Sequence, residues 1–266
     1  VSGYSGDGYT ARVQVELLSP EGEVRSLHDY EVVLPRISDI SKIIDKSDQL
    51  LGWAYNSGLE GMLAFAEAEV DFSGWDLSAA KEAMKQAGYS PFVRRGAAAD
   101  RGSRAHDTLE MCARGDPELE IHRFIDKVPK ENQGYCWAAV DWYAHEAPEP
   151  ILVEESVVSL QHGFAGTLDL YSKRGEPTVG KGLVLTDAKT SKDVYPEMAM
   201  QLGGYAIALE ELGFPVDTAS ILLLRADGTY KEVFLEPDRA AFLHALDLYR
   251  SFTQTKAAVK AAKEEA

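Results

Sequence analysis

Apolar and polar side chains alternate over residues 9–19 and again over 23–34, with Ser19-Pro20-Glu21-Gly22 between them. A period of two lines one face of a strand, so this stretch predicts an N-terminal β-hairpin with its turn at the Pro/Gly. The period then lengthens. After Pro35 a Ser38/Asp39 start signal leads into Ile40, Ile43, Ile44, Leu50, Leu51, Ala54 and Tyr55 at helical spacing. Further helices are predicted over 77–86, 97–114 and 131–146, punctuated by Gly88, a Tyr89-Ser90-Pro91 turn and Gly115-Asp116-Pro117. Short runs rich in Val, Leu and Ile at 151–160, 164–171 and 183–188 predict a three-stranded meander. Met198, Leu202, Tyr205, Leu209 and Leu212 recur at helical steps between Pro196 and Gly213-Phe214-Pro215. Two more strands, 217–225 and 229–235, meet at Asp227-Gly228, and a last helix runs from Pro237-Asp238 through Phe242, Leu246 and Tyr249 into a Lys/Ala/Glu tail expected to fray.

Helices followed by β-β-β-α-β-β-α predict an α/β or α+β core carrying a helical annex. The corresponding division is a hairpin at 1–34, a helical region at 35–150, a core at 151–250 and a helical tail at 251–266, with 35–250 expected to form one structural domain.

Composition narrows the class. The 266 residues are 45% hydrophobic, which excludes disorder for most of the chain. Apolar runs stop at four to six residues, so a protein without membrane spans is expected, and no export signal is visible. Cys112 and Cys136 are too few for a disulfide framework or a cysteine-ligated iron–sulfur cluster, which fits a reducing, cytoplasmic setting. The net charge of −16 repels polyanions at long range. Yet Arg94, Arg95, Arg101 and Arg104 stand against Asp100 alone between residues 94 and 104, a local charge of +3.

Three groups carry candidate chemistry. Asp187-Ala188-Lys189 ends the third meander strand, where residues i and i+2 share a face and a carboxylate meets an ammonium. Asp169 interrupts the apolar run Gly166-Thr167-Leu168-Asp169-Leu170, and a carboxylate in such a run needs a cation, a metal or several donors. Two hairpin carboxylates and a lysine suit Mg²⁺ or Mn²⁺. Gln201 and Tyr205 lie one helical turn apart around Gly203-Gly204, and mid-helix glycines predict close approach by a strand or a substrate. His106, on a helix behind the arginines, is a candidate ligand. His28, His122, His145, His162 and His244 have no motif around them.

Gly102 to His106, Gly166 to Leu170, Asp187 to Lys189 and Gln201 to Tyr205, in that order, resemble the RecB-like branch of the PD-(D/E)XK nuclease superfamily. The stretch from Leu34 to Ala54 is similar to the lead-in helix of its phage-type members. The resemblance implies a restriction-endonuclease-like core with a mixed central sheet flanked by helices. It implies His106, Asp169, Asp187 and the Ala188 carbonyl as ligands of one or two Mg²⁺ or Mn²⁺ ions, Lys189 as the charge-stabilising or water-orienting group, and Gln201 and Tyr205 as organisers of site and substrate. Glu155, or equally Glu154, occupies the place of an additional acid. Leu168 stands where the superfamily has its proline, and Asp187 where glutamate is commoner. The implied activity is metal-dependent DNA hydrolysis, as an exonuclease in recombination, repair or replication, with the four arginines on the phosphates and a recombination or replication protein as a possible partner. An endonuclease, or a non-catalytic acidic adaptor or DNA mimic, is the alternative. A sugar hydrolase would explain neither the lysine nor the histidine.

Overall fold

The computed structural model describes residues 4–5, 8–18, 24–43, 47–175 and 182–264. A three-stranded antiparallel sheet comes first, with order β1 (Tyr4–Ser5), β2 (Gly8–Leu18) and β3 (Val24–Leu34). The 19–22 turn lies outside the described residues. The chain passes to the main sheet at Pro35, whose carbonyl accepts from the Ala165 N–H at 3.1 Å. Six helices follow: α1 (Ile37–Ser41), α2 (Ser47–Glu67), α3 (Leu77–Gln86), α4 (Pro91–Arg114), α5 (Glu118–Ile125) and α6 (Lys130–Glu146). The second half of the chain gives β4 (Glu149–Ser159), β5 (Phe164–Arg174), β6 (Gly182–Lys189), α7 (Pro196–Glu211), β7 (Thr218–Leu224), β8 (Tyr230–Leu235) and α8 (Arg239–Glu264).

The five strands β4 to β8 lie in sequence order. All neighbours are antiparallel except β6 and β7, whose parallel pairing requires a crossover, and α7 supplies it. Helices cover both faces. Ile37, Ile40, Leu202, Leu209 and Phe242 from α1, α7 and α8 pack on Phe164, Leu168, Leu185 and Ile221. Ala105, Leu109, Ala138 and Trp142 from α4 and α6 pack on Leu170, Ala188, Leu222 and Leu224. Each large apolar side chain buried this way contributes about 1.5–3 kcal/mol. The class is therefore a mixed five-stranded sheet flanked by helices, an α+β arrangement.

Several boundaries differ from the sequence reading, each for a local reason. The helix after Pro35 is two helices: α1 ends after five residues in a turn at 42–43, and α2 continues to Glu67. Asp39 is no cap but a first-turn acid bonded to Arg36 at 2.6 Å. Leu51 and Tyr55 of α2 are exposed, so its helical period marks a face that points outward. Pro91 opens α4 rather than closing a turn, since proline is tolerated where the first N–H has no helical acceptor. The short helix α5 has no counterpart among the expected elements. The glycines of α7 do admit a close neighbour, but it is the start of α8 instead of a strand or substrate: a Cβ at Gly203 would fall on the Asp238 carbonyl, and one at Gly204 would sit 2.7 Å from the Phe242 ring. The helix α8 runs unbroken to Glu264, with Asp238 Oδ1 capping the Ala241 N–H at 2.9 Å.

Candidate metal centre

The site forms where the main sheet opens. The last β5–β6 pair is Leu170 with Thr186; one step further the same register would set Asp169 against Asp187. Like charges directly opposite are unfavourable, and the ladder stops there. The Ala188 N–H donates instead to Asp169 Oδ2 at 2.6 Å. On the other side Val153 pairs with Leu170 and Glu155 with Leu168, so Glu154 falls opposite Asp169. Three carboxylates thus stand in line across three adjacent strands.

Glu154 has a φ of +47°, left-handed backbone within a strand. Such a conformation costs on the order of 1–3 kcal/mol in a residue with a Cβ and recurs where function over-determines geometry. It separates the two candidate acids. Glu155 is exposed, whereas the half-buried Glu154 brings Oε1 to 3.7 Å from His106 Nδ1. Of the two candidates the sequence offers, Glu154 is the one that joins the cluster, and Glu155 lies outside it.

The helix α4 presses Ala105, Thr108 and Leu109 toward the sheet and brings His106 with them. His106 Nδ1 lies 3.2 Å from Asp169 Oδ1. One ligand atom each from His106, Glu154 and Asp169 lie within 4.8 Å of one another, a group able to hold a metal ion. Lys189 Nζ is paired with Asp187 Oδ2, and Gln201 Nε2 donates to Asp187 Oδ1 at 3.4 Å and to the Tyr205 hydroxyl at 3.2 Å. Tyr205 is a core residue, 5% exposed, with its hydroxyl at the edge of the site.

Charge in this small volume is finely set. The negative charge of Asp169 drives the His106 pKa up to about 10 against the opposing effect of burial. Burial would raise Asp169, yet the charge and hydrogen bond of His106 hold it below the usual carboxylate range. Burial raises Glu154 and Asp187, in the latter case against Lys189. Burial lowers the Lys189 pKa, but the charges of Asp187 and Asp169 outweigh it and raise the pKa above the usual lysine value, while the side chain keeps 23% of its exposure. The donor set fits a hard divalent cation: oxygen ligands that would otherwise repel one another, plus one imidazole nitrogen.

Of the residues singled out in the sequence, His106 and Asp169 meet directly, with Asp187, Lys189, Gln201 and Tyr205 joined to them through adjoining contacts. Ala188 enters through its N–H. The arginines do not form one patch. Arg94 donates to Glu60 of α2 at 2.6 Å, Arg95 is exposed, and Arg104 lies over Phe124 beside Asp100 and Asp107. Arg101 lines a cleft beyond the Lys189 end of β6, above the Tyr135 ring at 5.0 Å. Two cations there, Lys192 and Arg225, escaped the sequence reading. Both follow the ends of parallel neighbouring strands, a position that favours ligand contact in such sheets.

No protein-family model matches the chain, and no curated protein matches its sequence. The chemistry of the site carries the functional reading.

Proposed function

We propose that the protein is a divalent-metal-dependent DNA nuclease with a PD-(D/E)XK-type core, acting as an exonuclease in recombination, repair or replication. The observation that carries this reading is the convergence of His106, Glu154 and Asp169 beside the Asp187–Lys189 pair at the open end of β5 and β6.

His106, Glu154 and Asp169 would hold the ion, with Asp187 and the Ala188 carbonyl as further oxygen donors. Bound there, Mg²⁺ or Mn²⁺ supplies Lewis acidity to a phosphodiester and lowers the pKa of a coordinated water. The imidazole nitrogen favours Mn²⁺ over Mg²⁺. Lys189 stays charged and partly exposed, so it can meet the negative charge that grows on the phosphate oxygens during hydrolysis. Asp187 positions that ammonium, Gln201 steadies Asp187, and Tyr205 fixes Gln201 from the core.

End-labelled linear DNA and closed circular DNA, incubated with EDTA, Mg²⁺ or Mn²⁺, test the reading. Linear DNA should disappear only with metal, circles should survive, and Lys189→Ala should slow digestion by about 10²–10³-fold, the usual effect of removing one charge-stabilising donor. Cut circles would make the protein an endonuclease. Intact DNA under every metal would reject the nuclease reading in favour of a non-catalytic adaptor.

A further inference from the structure

A cleft of about 320 Å³ lies beyond the Lys189 end of β6, lined by Arg101, Tyr135, Thr190, Ser191, Lys192 and Arg225 among others. No carboxylate lines it. Among the described residues Arg101, Lys192 and Arg225 form no ion pair, as is also true of Arg95, Arg123 and Arg250, and the acid whose charge acts on Arg225 is Asp227 of the following turn, which does not line the cleft. In a chain of net charge −16, three cations converging on one concave surface without a carboxylate at ion-pair distance mark an anion site.

Gly134 of α6 lies so close to the β7–β8 turn that a Cβ there would fall on the Ala226 carbonyl, so α6 and this turn meet closely beside the cleft that Tyr135 and Arg225 line. Tyr135 in turn carries the Arg101 guanidinium on its ring at 5.0 Å, and Arg101 Nε is buried without a hydrogen-bond partner. A planar guanidinium held this way offers its remaining N–H groups as a fork, the geometry that suits a phosphate. Ser191 and Thr190 add hydroxyls.

Position relates the cleft to the metal centre. Thr190 directly follows Lys189, and Arg101 precedes His106 by five residues of α4, a rise of ~7.5 Å along the helix. That places the cleft within reach of a strand whose phosphate lies at the metal centre.

We propose that this cleft is a second phosphate subsite, holding a neighbouring phosphate of the DNA strand whose bond is cleaved at the metal centre. The proposal rests on the nuclease reading of the adjacent site and adds to it the interaction that sets the register of the strand.

The test is binding of a fluorescent duplex by anisotropy in EDTA, where cleavage is blocked, over a series of salt concentrations. The wild type is compared with the Lys192→Ala/Arg225→Ala double variant, with Arg101→Ala, and with a Lys81→Ala/Lys85→Ala control on α3. Lys192 and Arg225 are exposed, so the double variant stays informative if Arg101→Ala folds poorly. Each phosphate interaction removed should reduce the slope of log K against log salt by about 0.9, giving a weaker and flatter response in the cleft variants and none in the control. Duplexes with and without a terminal phosphate identify the source: equal weakening on both indicates an internal phosphodiester, and weakening confined to the phosphorylated form indicates a terminal monoester. A wild type that digests DNA with metal, together with a double variant of unchanged affinity and slope, overturns the subsite and leaves the nuclease reading standing. A wild type that digests nothing but shows the slope change in the variants overturns the nuclease reading and keeps the subsite.

Discussion

His106 shows how far a single side chain depends on its neighbours. Its pKa is raised to about 10 chiefly by Asp169, so in EDTA it is an imidazolium at neutral pH, a cation seated among carboxylates. A histidine with a raised folded-state pKa contributes stability that is fully present below its unfolded value of ~6.5 and is lost as pH rises through about 10. Urea unfolding in EDTA should therefore show the wild type losing stability between pH 7 and pH 10, and His106→Gln losing distinctly less. Equal losses would mean that Asp169 does not hold His106 protonated. From sequence, His106 and Asp169 were legible because an acid within an apolar strand and a histidine behind an arginine run are unusual. The choice between Glu154 and Glu155 was not, because it turns on one left-handed residue that breaks strand alternation, and no side-chain pattern encodes that φ.

At the scale of elements, apolar runs and turn residues were sufficient for the main sheet, although β5, β6 and β7 are buried at almost every position. The three meander strands, the helix α7 and the Asp227-Gly228 hairpin all appear where that pattern places them. It failed for α2, where an apolar stripe containing Leu51 and Tyr55 faces outward, and for the start of α4, where Pro91 carries two opposite meanings. The glycines supply a direct contrast. Gly203 has no room for a methyl group, because the α8 backbone occupies the place, whereas a Cβ at Gly102 would meet only Thr190 Oγ1 at 3.8 Å. Gly203→Ala should cost about 1–3 kcal/mol through overpacking, while Gly102→Ala should be neutral or gain up to about 1 kcal/mol from helix propensity. Chemical denaturation of the two variants separates them; equal costs would mean that α7 and α8 do not pack as closely as described.

For the molecule as a whole, one buried cation ties the layers together. Arg174 of β5 is 2% exposed, bonds Glu146 at the end of α6 and Glu232 of β8, and lies over the Trp142 ring at 5.1 Å. Removing one partner of such a group leaves buried charge uncompensated, so Arg174→Met should destabilise the fold to urea by about 3–5 kcal/mol. Burial would raise Glu232, but Arg174 holds it below the usual range. A carboxylate depressed in the folded state contributes stability above its unfolded pKa and loses it as pH falls through the folded value, here below ~4.5. Thermal unfolding should show the wild type weakening on acidification below that point, and Glu232→Gln weakening less from its lower starting stability. Among the described residues no helix is long and apolar enough to cross a membrane.

Glu154, Asp169 and His106 are proposed to hold a divalent metal ion. The measurement that tests this most directly is titration of the protein with Mn²⁺, followed by electron paramagnetic resonance of the free ion, for the wild type, Glu154→Gln and Glu155→Gln. The account predicts stoichiometric binding by the wild type, an affinity at least about 10–100-fold weaker in Glu154→Gln, and an unchanged affinity in Glu155→Gln. No binding by the wild type, or equal binding by all three proteins, would contradict it.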